Sequence, residues 1–115
     1  MPRITDYRFG HLSTDREAFS RDVVLGPEGV YANWWRMEGH KLQWEDIREF
    51  VEKERPEIVV VGQGKFGMMS VSREVKKELA ARGIGLIAER TDKAVKKFNE
   101  LQDKRRVLGA FHLTC

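Results

Sequence analysis

The densest run of chemically suggestive residues is Gly62-Gln63-Gly64-Lys65-Phe66-Gly67, which matches G-x-G-x-x-G after a β-branched segment and before a helical one. In a dinucleotide site such glycines let the backbone approach pyrophosphate, and Glu89 stands at about the offset of a ribose-binding acid. Met68-Met69-Ser70-Val71 then intervenes before Ser72, whereas that fingerprint needs its last glycine already inside the helix. A P-loop is excluded because Phe66 follows Lys65 where Ser or Thr would hold the metal. The ligand chemistry that remains is a small anion held by backbone N–H groups of Gly62, Gln63, Gly64 and Gly67 with Lys65, helped by Ser70 and Ser72. The plainer alternative is a loop that needs positive φ and tight backbone packing at a strand end.

Two other groupings compete with it. His112 and Cys115 suggest a thiolate–imidazole pair, but residues three apart on a strand face opposite sides, which favours a packed histidine and an unreactive cysteine. With His11 and His40 they are too dispersed for a metal site, and no metal or other cofactor is expected. Trp34, Trp35, Arg36 and His40 form an aromatic and cationic cluster. Adjacent tryptophans on a strand point to opposite faces, so one outward indole beside Arg36 makes a protein-contact surface. The competing arrangement buries both indoles and leaves Arg36 a solvated strand-end charge.

The elements that must position these residues follow from periodicity. Thr5–Phe9 and Phe19–Leu25 alternate roughly every second residue, and Gly26-Pro27-Glu28-Gly29 turns the chain into an aromatic strand, Val30–Trp35, with Gly29 taking positive φ. Trp44, Ile47, Phe50 and Val51 predict a helix over 43–54 that Pro56 ends. Ile58–Val61 is an unbroken β-branched run, the mark of a strand covered on both faces. Ser72 caps a helix containing Val75 and Leu79 that stops at Gly83, Ile84–Ala88 is a second buried strand, and Thr91 caps a helix with Ala94, Val95, Phe98 and Leu101 inward. Val107–Leu113 is the last strand. The fold class is therefore α/β, a three-layer single domain over 1–115. Its mixed, mostly parallel central sheet is built by a βαβαβ C-terminal half, with an N-terminal antiparallel β-meander as a further layer.

Composition narrows the functional classes. A chain of 115 residues with 41% hydrophobic and 34% charged content supports one core and excludes large multidomain enzymes. One cysteine excludes a disulfide scaffold, and no apolar run reaches membrane-spanning length. The opening Met1-Pro2-Arg3-Ile4-Thr5-Asp6 reads as neither a secretory signal nor a transit peptide, so the expected location is cytoplasmic. Nine basic residues face eleven acidic ones up to Pro56, and twelve face seven after it. The clusters Lys76-Lys77, Lys93-Lys96-Lys97 and Lys104-Arg105-Arg106 lie on the wet faces of amphipathic helices without interleaved aromatics, which argues against a nucleic-acid partner.

Taken in order, Trp34-Trp35-Arg36 with Gly39-His40, Val60-Val61-Gly62-Gln63-Gly64, Phe98-Asn99 and Phe111-His112-Leu113-Thr114-Cys115 carry a resemblance over nearly the whole chain. The sequence resembles the small single-domain family that includes the adipogenesis-associated domain protein of animals and the mitochondrial complex I assembly factor three, with many prokaryotic members. Gln63 stands where relatives often carry Thr or Ser, and Arg90 where they carry Pro. The resemblance implies a three-layer α/β domain with no established catalytic activity or cofactor. It also implies an assembly or regulatory role through protein contacts. The favoured reading is thus a non-enzymatic interaction domain, monomeric or homodimeric and without catalytic residues, that binds a protein partner through Trp34, Trp35, Arg36 and His40. The alternative is a small-anion or small-molecule site at Gly62–Gly67.

Overall fold

The computed structural model describes residues 2–115. Its centre is the pair of strands whose sequences are most uniformly apolar. β7 (Ile58–Gln63) and β10 (Val107–His112) run parallel in the register Val107 to Ile58 through His112 to Gln63. Burial on both faces is what removes alternation from such strands. β9 (Gly85–Glu89) adds parallel to β7, β4 (Val23–Leu25) adds antiparallel to β10, and β5 (Val30–Tyr31) pairs antiparallel with β4. The resulting order, β5-β4-β10-β7-β9, is the mixed, mostly parallel sheet expected from the sequence.

Two cores sandwich this sheet. On one face α1 (Trp44–Glu54) and α2 (Arg73–Ala81) pack Trp44, Ile47, Val51, Val75 and Leu79 onto Val24, Val59, Val61, Leu108 and Ala110. On the other, α3 (Thr91–Gln102) brings Ala94, Val95 and Phe98 onto Val23, Leu25, Val60, Val107 and Phe111. A three-stranded antiparallel sheet of β1 (Ile4–Arg8), β2 (His11–Thr14) and β3 (Ala18–Phe19) seals that second core with Ile4, Leu12 and Phe19. A short parallel pair, β6 (Lys41–Leu42) and β8 (Ser70–Val71), joins the segment before α1 to the segment before α2. No helix among the described residues is long and apolar enough to cross a membrane.

The N-terminal strands depart from the expected boundaries for physical reasons. Phe19–Leu25 is two strands in different sheets, because Val23, Val24 and Leu25 are all buried and need cover on both sides. The strand expected over Val30–Trp35 ends at Tyr31. Asn33 takes a left-handed backbone, φ 55°, which Asn tolerates better than most residues, and turns the chain so that successive indoles part. The hairpin turn is where it was expected, but Gly29 does not have positive φ. Glycine is needed there for room: a Cβ at Gly26 would lie 2.6 Å from the Glu54 carboxyl, and one at Gly29 2.9 Å. The buried Glu54 carboxylate accepts the Glu28 N–H at 2.8 Å and the Tyr31 hydroxyl, so the turn closes over a charge from α1. Burial first, then the Glu54 carboxylate beside it, pushes the Tyr31 phenol up to about 12. Ser72 caps α2 and Gly83, φ 70°, follows its end as the sequence indicates. Thr91 is the first residue of α3 rather than its cap, because its hydroxyl is engaged elsewhere.

Candidate functional site

At the C-terminal ends of β7 and β10 the chain reverses through the glycine run, and most of its donors turn inward. The Gly64 N–H donates to Thr91 Oγ1 at 2.9 Å, Lys65 N–H to the Thr114 carbonyl at 2.6 Å, and Met68 N–H to the Cys115 carbonyl at 3.0 Å. Gly67 and Met69 donate to the Gly64 and Gln63 carbonyls, and the Gln63 carboxamide returns to the Met69 carbonyl at 3.0 Å. Thr91 completes the knot by donating to the His112 carbonyl at 2.7 Å. Gly62 is required because a Cβ would meet Thr91 Oγ1 at 2.8 Å, and Gly64 because it combines φ 98° with contact against Cys115. The concavity that an anion would occupy is filled by residues 112–115. Lys65 is exposed with its ammonium 5.9 Å from the Tyr7 ring, Ser70 is exposed at the His40 carbonyl, and Ser72 accepts the Val75 N–H. Gly62, Gln63, Gly64, Lys65, Gly67, Ser70 and Ser72 therefore share an end of the sheet without converging on a common point.

The tryptophan cluster is arranged otherwise. Trp34 is buried and its indole N–H donates to the Asp46 carbonyl at 3.0 Å, whereas Trp35 is 76% exposed. This is the outward indole that the sequence suggested, presented by a loop instead of a strand. Arg36 is neither exposed beside it nor a solvated strand-end charge: it is 7% exposed, lies over the Trp34 ring at 4.6 Å and donates to the Gly39 carbonyl at 2.9 Å. Burial removes it from any direct contact surface, because a guanidinium reaches the interior only with partners to balance it. His40 is exposed, with its ring steeply inclined to that of His112 and ring centroids 6.1 Å apart.

The partners of Arg36 are Asp22 and His112. Asp22 Oδ2 lies 2.8 Å from Arg36 Nη1 and accepts from His112 Nδ1 at 2.8 Å, while Oδ1 accepts the Leu113 N–H at 2.7 Å. Burial, the largest single influence, pushes the Asp22 carboxyl up, but the bonds from His112, Leu113 and Arg36 together hold it below the usual carboxylate range. His112 Nδ1 also has Arg36 Nη2 at 3.1 Å, but the shorter contact is to a carboxylate that can only accept, and on that ground the histidine proton is assigned to Nδ1. His112 Nε2 and Arg36 Nε are buried without partners among the described residues, and Arg36 and His112 are enclosed while Asp22 keeps an edge on the cleft beside Trp35. It ties the approach to β4, the 33–40 loop and the end of β10 into one node, which Trp34 N–H reinforces by donating to the Asp22 carbonyl at 2.8 Å. A second clamp comes from Asp46, which accepts the Gln43 N–H at 2.8 Å at the head of α1 and the Met37 N–H at 3.3 Å.

Asp22 was invisible to motif reading. Its one signal is an acid standing immediately before three apolar strand residues. Apart from Trp35, the exposed apolar residues were equally unmarked. Phe9, Trp35, Met37, Phe66 and Met68 are all more than half exposed, and all sit on loops at this end of the sheet. The Phe9 and Phe66 rings are 6.3 Å apart. Trp35 stands between two clefts, one of about 290 Å³ lined by Arg21, Asp22, Trp34 and Thr114 and one of about 430 Å³ lined by Tyr31, Met37, Asp46 and Phe50.

Comparison with known proteins agrees with this architecture. The model of a family described as a protein of unknown function (DUF498/DUF598) matches residues 4–112, and the chain belongs to that family. Among solved structures, a conserved hypothetical protein of Pyrococcus horikoshii is 30% identical, with a TM-score of 0.82 over 98% of this chain and 99% of that one. A Bordetella parapertussis protein is 25% identical, with a TM-score of 0.84 over 98% and 96%. A Bordetella pertussis protein described as a Mth938-like domain shares the fold at 23% identity, with a TM-score of 0.77 over 97% and 85%.

Proposed function

We propose that this DUF498/DUF598 member is a non-enzymatic cytoplasmic interaction domain, an assembly or regulatory factor of the kind the resemblance to the complex I assembly factor implies. It grips a protein partner through Trp35, Met37 and the flanking clefts. The observation that carries this reading is a large indole held 76% in solvent by a loop whose anchors, Arg36 and Trp34, are buried. Large exposed apolar side chains gathered at one end of a small domain mark an interaction surface, and tryptophan is prominent among residues that dominate binding energy. The Asp22–Arg36–His112 node contributes by holding the loop in place before the partner arrives, which lowers the ordering cost of association. Phe66, Met68 and Phe9 supply a second apolar contact beside it. The glycine loop serves as the rigid floor between them.

Affinity capture of the tagged chain from its own cells tests this, comparing Trp35→Ala and Lys65→Ala with the parent. The expected outcome is a specific protein retained by the parent and by Lys65→Ala and lost with Trp35→Ala. Loss with Lys65→Ala alone would instead point to the glycine loop, and no specific protein with any form would remove the proposal.

A further inference from the structure

Among the described residues the strand edges are short or partly guarded, with one exception. β3, β5, β6 and β8 have two residues each. Along β1 the Asn99 carboxamide occupies the main chain of Ile4, accepting its N–H at 3.0 Å and donating to its carbonyl at 2.8 Å. β9 is five residues long, lies at the outside of the central sheet and pairs only with β7. The Gly85 N–H donates to the Glu57 carbonyl at 2.9 Å, on the β7 side. By the alternation of a strand, Gly85, Ile87 and Glu89 turn their main-chain groups toward β7, and Leu86 and Ala88 turn theirs outward. No side chain among the described residues bonds to the N–H of either. Ile84 to Ala88 contains none of the lysines, prolines or inward charges by which edges are normally blunted. Leu86 and Ala88 pack toward α1 and α2, while Ile87 faces the α3 side and stays half-buried because α3 lies chiefly over β7 and β10.

We propose that β9 pairs antiparallel with β9 of a second copy of this chain, about a two-fold axis at Ile87, joining two central sheets into one. The register follows from the free main-chain groups. Leu86 bonds the partner's Ala88 and Ala88 the partner's Leu86, which leaves Ile87 opposite the partner's Ile87 at a non-hydrogen-bonded position, where Cα atoms approach to about 4.5 Å. The two isoleucines thereby cover the surface that α3 leaves open. Glu89, the only charge in the strand, falls opposite the partner's Gly85, so no like charges meet. In this register the strand is its own complement, which favours a second copy over an unrelated strand. Antiparallel pairing sends the two Trp35 loops to opposite ends of the assembly, so the dimer presents two separate binding faces.

Sedimentation velocity of the full chain over about a hundredfold range of concentration, paired with residue-resolved amide exchange, tests the pairing. The expected result is a mass that rises toward two chains while protection of the Leu86 and Ala88 amides rises in step. Ile87→Lys weakens association at least about tenfold, and Trp35→Ala leaves it unchanged. Should Ile87→Lys fail to fold, Ala88→Pro, which removes an outward N–H that the monomer does not use, shows the same loss. A chain that stays monomeric throughout, or a dimer whose Leu86 and Ala88 amides exchange as fast as in the monomer, overturns the proposal.

Discussion

The glycine loop and the tryptophan loop close the same end of the same sheet and bury different kinds of polar group. Residues 62–69 look like a ligand cradle, yet the N–H groups of Gly64, Lys65 and Met68 are consumed by Thr91, Thr114 and Cys115, and those of Gly67 and Met69 by the loop's own carbonyls. Residues 33–35 read as the end of an aromatic strand, yet the chain turns into a loop whose Arg36 is buried against Asp22 and His112 while one indole is thrown outward. The first loop is tight because its interior is backbone, the second because its interior is a balanced charge. Both loops turn polar groups inward and leave apolar side chains outside, Phe66 and Met68 on the first and Trp35 and Met37 on the second.

Breaking the charge should have the largest effect. Asp22→Ala leaves Arg36 and His112 buried without their anion, and removing one partner of a buried pair typically costs about 3–5 kcal/mol. Urea unfolding should show that loss, and retention of parental stability would mean that the node is not the anchor described. Breaking the glycine loop should cost less. Gly64→Ala combines positive φ with contact against the Cys115 carbonyl and should lose about 2–3 kcal/mol. Gly10→Ala, also at positive φ but in open space, should lose only about 1 kcal/mol. Equal losses at the two positions would show that the packing against residues 112–115 is unimportant.

Acid sharpens the comparison further. The Asp22 carboxyl titrates lower in the folded chain than when unfolded, so its stabilisation is complete above the unfolded value near pH 4 and fades as pH falls through the folded value. Asp22→Asn should flatten the stability profile below about pH 4, measured by urea titrations at successive pH, and an unchanged acid slope would assign the sensitivity to other carboxylates. The smallest effect on folding is expected where the largest effect on binding is. Trp35→Ala should shift stability by less than about 0.5 kcal/mol, as for exposed positions without special contacts. A larger change in the melting curve would mean that the indole supports the fold.

Much of this architecture was legible because burial leaves a compositional trace. The branched aliphatic run at Ile58–Val61 and the stripes Val75/Leu79 and Ala94/Val95/Phe98 identify the layers without ambiguity. Trp34 and Trp35 offered an outward indole as one of two arrangements, since neighbours diverge in extended chain, and a left-handed Asn33 is what selects it here. What stayed hidden depends on distant sequence. Asp22 meets Arg36 and His112 only after the sheet forms, and residues 112–115 fill the glycine run only because β10 lies beside β7. Gly29 shows a subtler limit: the residue type was informative, but space for Glu54, rather than backbone angle, explains it.

The unequal settings of the three tryptophans give this molecule a built-in optical reporter. Trp34 and Trp44 are enclosed, so a water-borne quencher such as iodide should reach a single emitter. The long-wavelength part of the intrinsic fluorescence then belongs to one side chain, and docking of a partner there can be followed without attaching any dye.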